Sequence, residues 1–246
     1  MFGQAAGLFV PMLLGGSVVF MAELHPKAII KCLRRERVSV LVSVPRVVEN
    51  LKSEIHRTLG RLPEPVQLRG VSGVAWRWWS YRRIHAAFGW KFWALVVGGA
   101  RVDPELEAFW SRLGFVLLQG YGLTETSPVV TVNHPFSARL GSIGKPMSGQ
   151  EVRINPDGEI LVRGENVATE YLAGGIESPI LHEDGWFHTG DLGSMDEEGR
   201  LYYKGRKKDL IVTSDGLNVY PDDVESVLNR LSGIRESTVV ASTHSG

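Results

Sequence analysis

The sequence predicts an α/β protein: a parallel-sheet subdomain with crossover helices, then a small antiparallel β-subdomain, then the start of a C-terminal α+β domain. Three observations carry this prediction. In the first region, near-continuous Val and Leu runs alternate with helical segments, which indicates parallel strands covered on both faces. After Gly141, short strands are separated by Gly, Pro, Asn and Asp, as in an antiparallel sheet or barrel. The last segment contains too few elements for a finished domain.

The parallel-sheet region begins with an apolar run at 9–21, broken by Pro11 and by Gly15-Gly16. A membrane-spanning helix needs roughly 20 consecutive apolar residues, so we interpret this run as a buried helix followed by a short strand at 17–21. Asp103 is suited to cap a helix whose first turn contains Pro104. The expected elements are, in order, a helix at 26–37, a strand at 38–44, a helix at 46–59, a strand at 92–97, the helix after Asp103-Pro104 and a strand at 115–119.

The antiparallel region supplies short strands at 151–154, 159–163 and 200–204. The final segment supplies a strand after Asp209, a Gly-containing turn, a helix near Pro221 and a strand at 237–241. We therefore divide the chain into residues 1–140, 141–207 and 208–246, which are the α/β part, the β-barrel-like subdomain and an incomplete C-terminal domain.

Composition excludes some classes of protein. With 43% hydrophobic and 22% charged residues the chain can bury a core, which argues against wholesale disorder. The net charge is zero, but residues 1–100 contain 14 Lys and Arg against 5 Asp and Glu, and this asymmetry points to anionic ligands or membrane surfaces. The single cysteine, Cys32, excludes an internal disulfide and indicates a reducing compartment such as the cytoplasm.

The most informative motif is Gly-Tyr-Gly-Leu-Thr-Glu-Thr-Ser-Pro at 120–128, directly after a predicted buried strand. The carboxyl end of a parallel strand is where α/β sheets bind ligands. Glycines there allow close backbone approach, an aromatic ring can stack on a base, hydroxyl groups can bond phosphate, and a carboxylate can hold Mg²⁺. Taken alone, the same residues also suit an ordinary polar turn.

Two further clusters follow. Residues 185–193, Gly-Trp-Phe-His-Thr-Gly-Asp-Leu-Gly, place Asp191 after a glycine in a predicted turn, where its carboxylate can accept hydrogen bonds from a ribose diol. Residues 203–209, Tyr-Lys-Gly-Arg-Lys-Lys-Asp, would by themselves be interpreted as a solvated basic turn.

These clusters, in this order and preceded by Gly98-Gly99-Ala100, resemble the AMP-forming acyl-CoA synthetases, a superfamily that also contains carrier-protein adenylation domains and beetle luciferases. The resemblance extends from Met1 through Gly-Ser-Ile-Gly-Lys-Pro at 141–146 to Ser-Asp-Gly-Leu-Asn-Val-Tyr-Pro at 214–221. It implies an enzyme that activates a carboxylic acid with ATP and Mg²⁺ to an acyl-adenylate, releases pyrophosphate and transfers the acyl group to CoA. Residues 1–140 would belong to the large N-terminal domain and 208–246 to the swivelling C-terminal domain.

The resemblance implies a role for each matching residue. Tyr121 would lie on the adenine face, and Asp191 and Arg206 would bind the ribose hydroxyls. The full nucleotide-binding set is Gly98, Gly99, Ala100, Gly120, Tyr121, Gly122, Asp191, Tyr203 and Arg206. The catalytic residues would be Thr124, at the phosphate, and Glu125, which would coordinate Mg²⁺; Lys208 would be the hinge between domain orientations, and Gly216 would approach the pantetheine thiol of CoA.

Two further elements of the family pattern are expected outside this sequence. A phosphate-binding loop is expected upstream of Met1, and a catalytic lysine beyond Gly246. Without their contacts to phosphate and carboxylate, we expect the polypeptide alone not to adenylate at an appreciable rate, whereas the protein from which it comes would. The alternative is a relative that binds nucleotide, lipid or a partner without chemistry.

The acid and the acceptor follow from resemblance only. A fatty acid is expected, since no carboxylate appears where an amino-acid-activating relative would anchor an amine, and an acyl carrier protein remains open as the acceptor in place of CoA. The stretch 76–93 contains five of the seven tryptophans, interspersed with arginines. It is interpreted either as an amphipathic helix packed inward or as a peripheral membrane contact. No nucleic acid partner is expected.

Overall fold

The computed structural model describes residues 2–60, 79–135, 137–173, 176–213, 215–229, 231, 233–234 and 236–242. None of the helices in these ranges is long and apolar enough to cross a membrane.

The amino-terminal segment differs from its prediction. It consists of an α-helical turn, α1 (Phe2–Gln4), a π-helical turn (Ala5–Phe9) and a second α-helical turn, α2 (Val10–Leu13). The predicted burial is wrong, because Phe9 is 57% exposed and Leu13 86% exposed. The predicted strand at 17–21 is also wrong, since none of the described sheets pairs with these residues.

A five-stranded sheet forms the centre of the first region. Its strands, in spatial as well as chain order, are β1 (Val40–Ser43), β2 (Ala94–Val97), β3 (Val116–Tyr121), β4 (Thr131–Val132) and β5 (Lys145–Pro146). The first three are parallel, and β4 and β5 add on as antiparallel strands. The helices of this region are α3 (Pro26–Arg35), α4 (Pro45–Leu59), α5 (Arg82–Phe88) and α6 (Pro104–Leu113). The predicted parallel sheet with crossover helices is thereby confirmed.

Helix α6 begins as the sequence predicts. Asp103 caps it, because its Oδ1 accepts a hydrogen bond of 2.9 Å from the Glu105 backbone N–H. Gly114 ends it with a left-handed φ of 89°, a conformation in which a residue without Cβ is favoured. The helix delivers Trp110 to the core, where its ring packs edge-on against Phe88 at a centroid distance of 5.9 Å.

A four-stranded antiparallel sheet forms the second region. Its strand order is β11 (Leu201–Arg206), β10 (Phe187–Met195), β7 (Glu159–Gly164) and β6 (Gln150–Ile154). This sheet has its own core, in which Ile160, Val162, Phe187 and Leu201 are buried together with Val130. A separate two-stranded sheet, β8 (Glu170–Ala173) with β9 (Ile176–Pro179), was not predicted.

The C-terminal segment begins with a 3₁₀ turn at Lys207–Asp209. A two-stranded hairpin follows, β12 (Ile211–Val212) with β13 (Asn218–Val219), and then helix α7 (Pro221–Leu228). The predicted strand at 237–241 is wrong, because these residues pair with none of the described strands. The division at 140/141 and 207/208 remains a prediction.

Candidate functional site

The turn after β3 has a backbone path that only glycine permits at Gly122. A Cβ placed there would lie 2.0 Å from the carbonyl oxygen of Pro128, far inside van der Waals contact. The chain then forms a 3₁₀ turn at Thr124–Thr126, which carries the predicted catalytic residues Thr124 and Glu125. Thr126 is buried, and its Oγ1 bonds both the N–H and the carbonyl of Leu123, which fixes the turn.

Three residues missed by the sequence reasoning hold this turn from outside. The Asn166 side-chain amide donates to the carbonyl of Thr126, and the backbone carbonyl of Asn166 accepts from Ser127 Oγ at 2.9 Å. The N–H of Ala168 donates to the carbonyl of Glu125 at 2.8 Å. Tyr171 donates its hydroxyl to Glu125 Oε1 at 2.7 Å. Asn166 and Ala168 lie in the loop between β7 and β8, and Tyr171 lies in β8. None of them belongs to a sequence motif, so only the folded structure reveals these contacts.

Asp191 lies in strand β10 rather than in the turn that the sequence suggested. Opposite β7, residue His188 pairs with Leu161 and Leu192 pairs with Glu159, so β10 carries two more residues than its partner over this interval. Gly190 takes a φ of 69° within this bulge. The bulge directs the Asp191 side chain into the protein, where the residue is only 1% exposed.

Asp191 lies in one cluster with three other predicted nucleotide-binding residues. Tyr121 donates its hydroxyl to Asp191 Oδ2 at 2.8 Å. Arg206 Nε lies 3.0 Å from Asp191 Oδ1, an ion-pair distance, yet Oδ1 accepts no hydrogen bond from the described residues. The rings of Tyr121 and Tyr203 are neighbours, with centroids 6.4 Å apart. The pairing of β10 with β11 sets Asp191 directly opposite Arg206.

Burial controls protonation in this cluster. It raises the pKa of the Asp191 carboxyl, while the Tyr121 hydrogen bond and the Arg206 charge lower it to a smaller extent. Burial, followed by the negative charge of Asp191, raises the pKa of Tyr121 well above its usual value and that of Tyr203 to about 12. Both phenols therefore remain protonated at neutral pH, and Tyr121 remains a hydrogen-bond donor.

Glu159 is a second buried carboxylate next to this cluster, at a position where the sequence predicts only the start of a strand. It is 4% exposed. Its Oε1 accepts from the Gly190 N–H at 2.9 Å, and its Oε2 lies 2.8 Å from Lys207 Nζ. Burial raises the pKa of Glu159, but the hydrogen bonds from Lys207 and Gly190 outweigh it, so that the net shift is downward.

The other predicted residues lie outside the cluster of Tyr121, Asp191, Tyr203 and Arg206. Gly120 and Gly122 flank Tyr121, and Gly98-Gly99-Ala100 follow β2, the strand beside β3. The Phe2 ring packs so closely on Gly98 that a Cβ there would lie 2.7 Å from it. Lys208 is exposed in the 3₁₀ turn. Gly216 lies in the exposed turn of the β12–β13 hairpin, where its φ is 76° and a Cβ would meet no atom within 4 Å.

An ion pair connects the first region to helix α7. Arg101, which follows Ala100, lies 2.7 Å from Asp223 in the first turn of the helix. Next to it, burial raises the pKa of Asp222, and the Arg101 charge lowers it to a smaller extent. The C-terminal segment is therefore packed beside the end of β2 in this orientation.

The tryptophan- and arginine-rich stretch is described only in part, since Trp76, Arg77 and Trp78 lie outside the described residues. The described part forms α5, which buries Ile84, His85 and Phe88 and follows an exposed Trp79. Arg82 lies over the Trp79 ring at 4.9 Å. Inward packing is thus observed for one face of α5, and peripheral membrane contact remains a prediction.

Together, the parallel sheet, the antiparallel sheet and the turn between β3 and β4 define an α/β fold of the adenylate-forming class. The AMP-binding enzyme family profile matches residues 1–172. The chain belongs to this family.

Similar proteins agree with that assignment. A long-chain-fatty-acid–CoA ligase, FadD15 of Mycobacterium bovis, is 41% identical over 160 residues, which are 65% of this chain and 27% of the relative. A 3-[(3aS,4S,7aS)-7a-methyl-1,5-dioxo-octahydro-1H-inden-4-yl]propanoyl:CoA ligase of Rhodococcus jostii is 34% identical over 245 residues, which are 97% of this chain and 42% of that protein. The chain thus spans less than half the length of these relatives.

A solved structure shows the same fold. The O-succinylbenzoate coenzyme A synthetase of Bacillus subtilis in complex with AMP superposes with a TM-score of 0.75 and 26% identity, covering 99% of this chain and 47% of that one. The same enzyme in complex with ATP and magnesium superposes with a TM-score of 0.73 and 27% identity, over 100% and 47% of the two chains.

Proposed function

We propose that the chain contributes the nucleotide site of an ATP-dependent acyl-CoA synthetase, which forms an acyl-adenylate from a carboxylic acid and then transfers the acyl group to CoA. One observation carries the proposal. Asp191 is a buried carboxylate held between Tyr121 and Arg206, and its Oδ1 accepts no hydrogen bond from the described residues. This oxygen faces the Arg206 charge but still has the capacity to accept a hydrogen bond, and a ribose hydroxyl is a donor that suits it.

The residues around Asp191 receive the following roles. Asp191 and Arg206 bind the ribose hydroxyls, and the rings of Tyr121 and Tyr203, 6.4 Å apart, border the adenine. Gly98-Gly99-Ala100, Gly120 and Gly122 border the nucleotide, and a ligand can approach the backbone closely at Gly99, where a Cβ would meet no atom within 4 Å. Thr124 donates to phosphate from the 3₁₀ turn that Thr126 fixes.

Glu125 is the residue proposed to hold Mg²⁺. The described residues contain no group of three or more His, Cys, Asp or Glu that could hold a metal ion by itself. Mg²⁺ commonly binds through one or two carboxylates together with substrate phosphates and water, so a single carboxylate beside a phosphate site fits this ion. When bound, the ion supplies positive charge that offsets the charge developing on phosphate. Tyr171, bonded to Glu125 Oε1, orients the carboxylate.

The second half-reaction needs movement of the C-terminal segment. We propose Lys208 as the hinge and Gly216 as the residue that approaches the thiol of the acceptor. Lys208 is exposed in the 3₁₀ turn that follows β11, and Gly216 lies in an exposed hairpin turn. Closure of a mobile segment over the site would also protect the adenylate from water.

The proposed substrate is a fatty acid. FadD15 is named as a long-chain-fatty-acid–CoA ligase, and the Salmonella typhimurium relative, 39% identical over 155 residues, carries the same name. An acyl carrier protein is the alternative acceptor. A transfer assay on the complete protein with both acceptors and acids of graded chain length tests these proposals together.

Binding of AMP to the chain, measured by isothermal titration calorimetry, tests the nucleotide site. The wild-type chain is expected to bind AMP, and Asp191→Asn is expected to weaken binding about 10- to 100-fold, because hydrogen bonds to a charged group contribute about 1.5–3 kcal/mol. Equal affinities of the two proteins would contradict the proposal. Glu151→Gln, on the exposed face of β6, serves as the control.

Catalysis by the chain alone is a separate prediction. We expect little pyrophosphate release from this polypeptide with ATP, Mg²⁺ and a panel of fatty acids. Turnover comparable to that of a complete synthetase would contradict it. The non-catalytic alternative would instead be supported if the chain binds AMP but the complete protein forms no adenylate.

A further inference from the structure

We infer that Glu159 is a positioning residue for both ribose-binding side chains, Asp191 and Arg206. It acts through the residues next to them in the chain, Gly190 and Lys207. The inference deepens the proposed nucleotide site and rests on it. No motif in the sequence marks this residue.

The geometry places one carboxylate between two predicted ligand residues. Glu159 Oε1 accepts from the N–H of Gly190, the residue immediately before Asp191. Its Oε2 accepts from Nζ of Lys207, the residue immediately after Arg206, at 2.8 Å. Asp191 and Arg206 are themselves opposite each other in the β10–β11 ladder. The carboxylate therefore closes a ring that contains both residues.

The bulge explains why Asp191 needs such support. Two residues of β10 have no counterpart in β7 between the His188–Leu161 and Leu192–Glu159 pairs, so regular ladder bonds do not hold this interval on its β7 side. Two side chains replace them. Thr189 Oγ1 donates to the Ile160 carbonyl at 2.7 Å and accepts from the Asp191 N–H at 3.1 Å, while Glu159 receives the Gly190 N–H.

Charged side chains surround the Glu159 carboxylate. Lys207 Nζ also lies 2.7 Å from Asp157 in the turn before β7, so the ammonium is shared between a buried and an exposed carboxylate. His188 Nδ1 is 3.5 Å from Glu159 Oε2 and adds a third neighbour. The Glu159 charge attracts Lys207, and water screens part of this attraction because the Lys207 side chain is 47% exposed. The pair joins the bulge to the end of β11 that carries Arg206.

A purely structural role would give the same contacts, so the test must separate the two. The probes are AMP and 2′,3′-dideoxy-AMP, which lacks the hydroxyls that Asp191 and Arg206 are proposed to bind. Affinities of the 246-residue chain for both are measured by calorimetry for wild type, Glu159→Gln, Lys207→Gln and Lys207→Arg. The matched control is Glu151→Gln, which removes a carboxylate of the same sheet paired with Arg163 at 2.6 Å but exposed.

The expected result is a loss that depends on the ribose hydroxyls. Glu159→Gln and Lys207→Gln should weaken AMP binding about tenfold, the effect of losing roughly one well-placed hydrogen bond, and leave 2′,3′-dideoxy-AMP binding unchanged. Lys207→Arg should restore most of the affinity, and the control should match wild type.

Two results would overturn the inference: unchanged AMP affinity in both variants, or equal losses for the two nucleotides. If Glu159→Gln does not fold, as judged by its thermal transition, Lys207→Gln decides alone, since its side chain is half-exposed. A wild-type chain that binds AMP no better than the dideoxy analogue refutes the proposed ribose site itself, whereas selectivity retained in wild type and variants alike refutes only the role of Glu159.

Discussion

Two buried glutamates, one in each sheet region, show how a cation changes the behaviour of the same side chain. Glu107 on α6 is 6% exposed, and its Oε2 accepts from Gln119 Nε2 at 3.1 Å and from the Gly141 N–H at 2.9 Å. Glu159 on β7 is 4% exposed and also accepts one glycine N–H, from Gly190, but its other oxygen faces Lys207.

The pKa values of the two carboxyls are shifted in opposite directions. Burial raises the pKa of Glu107, and its two hydrogen bonds do not compensate. Burial acts on Glu159 as well, but the Lys207 ammonium and the Gly190 N–H together hold its pKa below the usual value. Similar solvent exposure and a similar backbone donor thus accompany opposite pKa shifts, and a charged partner is present only at Glu159.

The largest effect is expected from removing that partner. Lys207→Met leaves a buried carboxylate without its cation, a change that costs roughly 3–5 kcal/mol in fully buried pairs. Because the Lys207 side chain is 47% exposed, water screens the pair, and we expect a loss of about 2 kcal/mol in the free energy of unfolding. Urea unfolding at pH 7 measures it, with Lys204→Met as control. Equal stability of the two variants would show that Lys207 does not matter to Glu159.

Removing the neutral partner of Glu107 should cost less. Gln119→Met deletes the hydrogen bond to Oε2 while the Gly141 N–H remains, and we expect a loss of about 1 kcal/mol, the usual contribution of one buried hydrogen bond. The carboxyl can respond by taking up a proton, which a carboxylate facing a cation resists. The same urea experiment applies, and a loss larger than that of Lys207→Met would invert the comparison.

Acidification should change the contributions of the two glutamates to folding stability in opposite directions. Glu107 has a folded pKa above the ordinary 4.5, so its contribution to stability is fully present below 4.5 and is lost as pH rises through the raised value. Glu159 has a folded pKa below 4.5, so its contribution is present above 4.5 and is lost as pH falls through the lowered value.

Urea unfolding from pH 7.5 to 3.5 checks this with two variants. The stability of wild type relative to Glu107→Gln should rise as pH falls, and that of wild type relative to Glu159→Gln should decrease. Parallel pH profiles would mean that burial alone governs both sites.

The sequence predicts the helices and strands from Pro26 to Tyr121 better than strand β10 of the second region, for a physical reason. Helices α3, α4 and α6 carry an apolar face and a proline in the first turn, and β1 to β3 are short apolar runs, so local pattern and final structure agree. Strand β10 was interpreted as a turn because Thr189-Gly190-Asp191 is turn-like locally. It becomes a strand only through its pairing with β7 and β11.

Some residues of the candidate site could likewise be predicted from the sequence, and others could not. Tyr121, Asp191, Tyr203 and Arg206 were chosen by resemblance, and the structure places them in contact through strands that are distant in sequence. Glu159 and Lys207 were not chosen, since their importance depends on the register that sets Leu192 opposite Glu159. A pairing register between remote strands is not written in any single segment of the chain.

The smallest effect is expected at Glu151, and it tests whether distance or burial decides the strength of a pair. Arg163 lies 2.6 Å from Glu151, closer than Lys207 lies to Glu159, but the Glu151 side chain is 60% exposed. Exposed pairs contribute little because water screens them, so Glu151→Gln should change the free energy of unfolding by less than about 0.5 kcal/mol. Arg163 keeps its position over the Trp186 ring at 4.6 Å, so its packing is not disturbed. A loss at Glu151 equal to that from Lys207→Met would mean that separation alone sets these energies, and the contrast between Glu107 and Glu159 would then need a cause other than the charge facing a buried carboxylate.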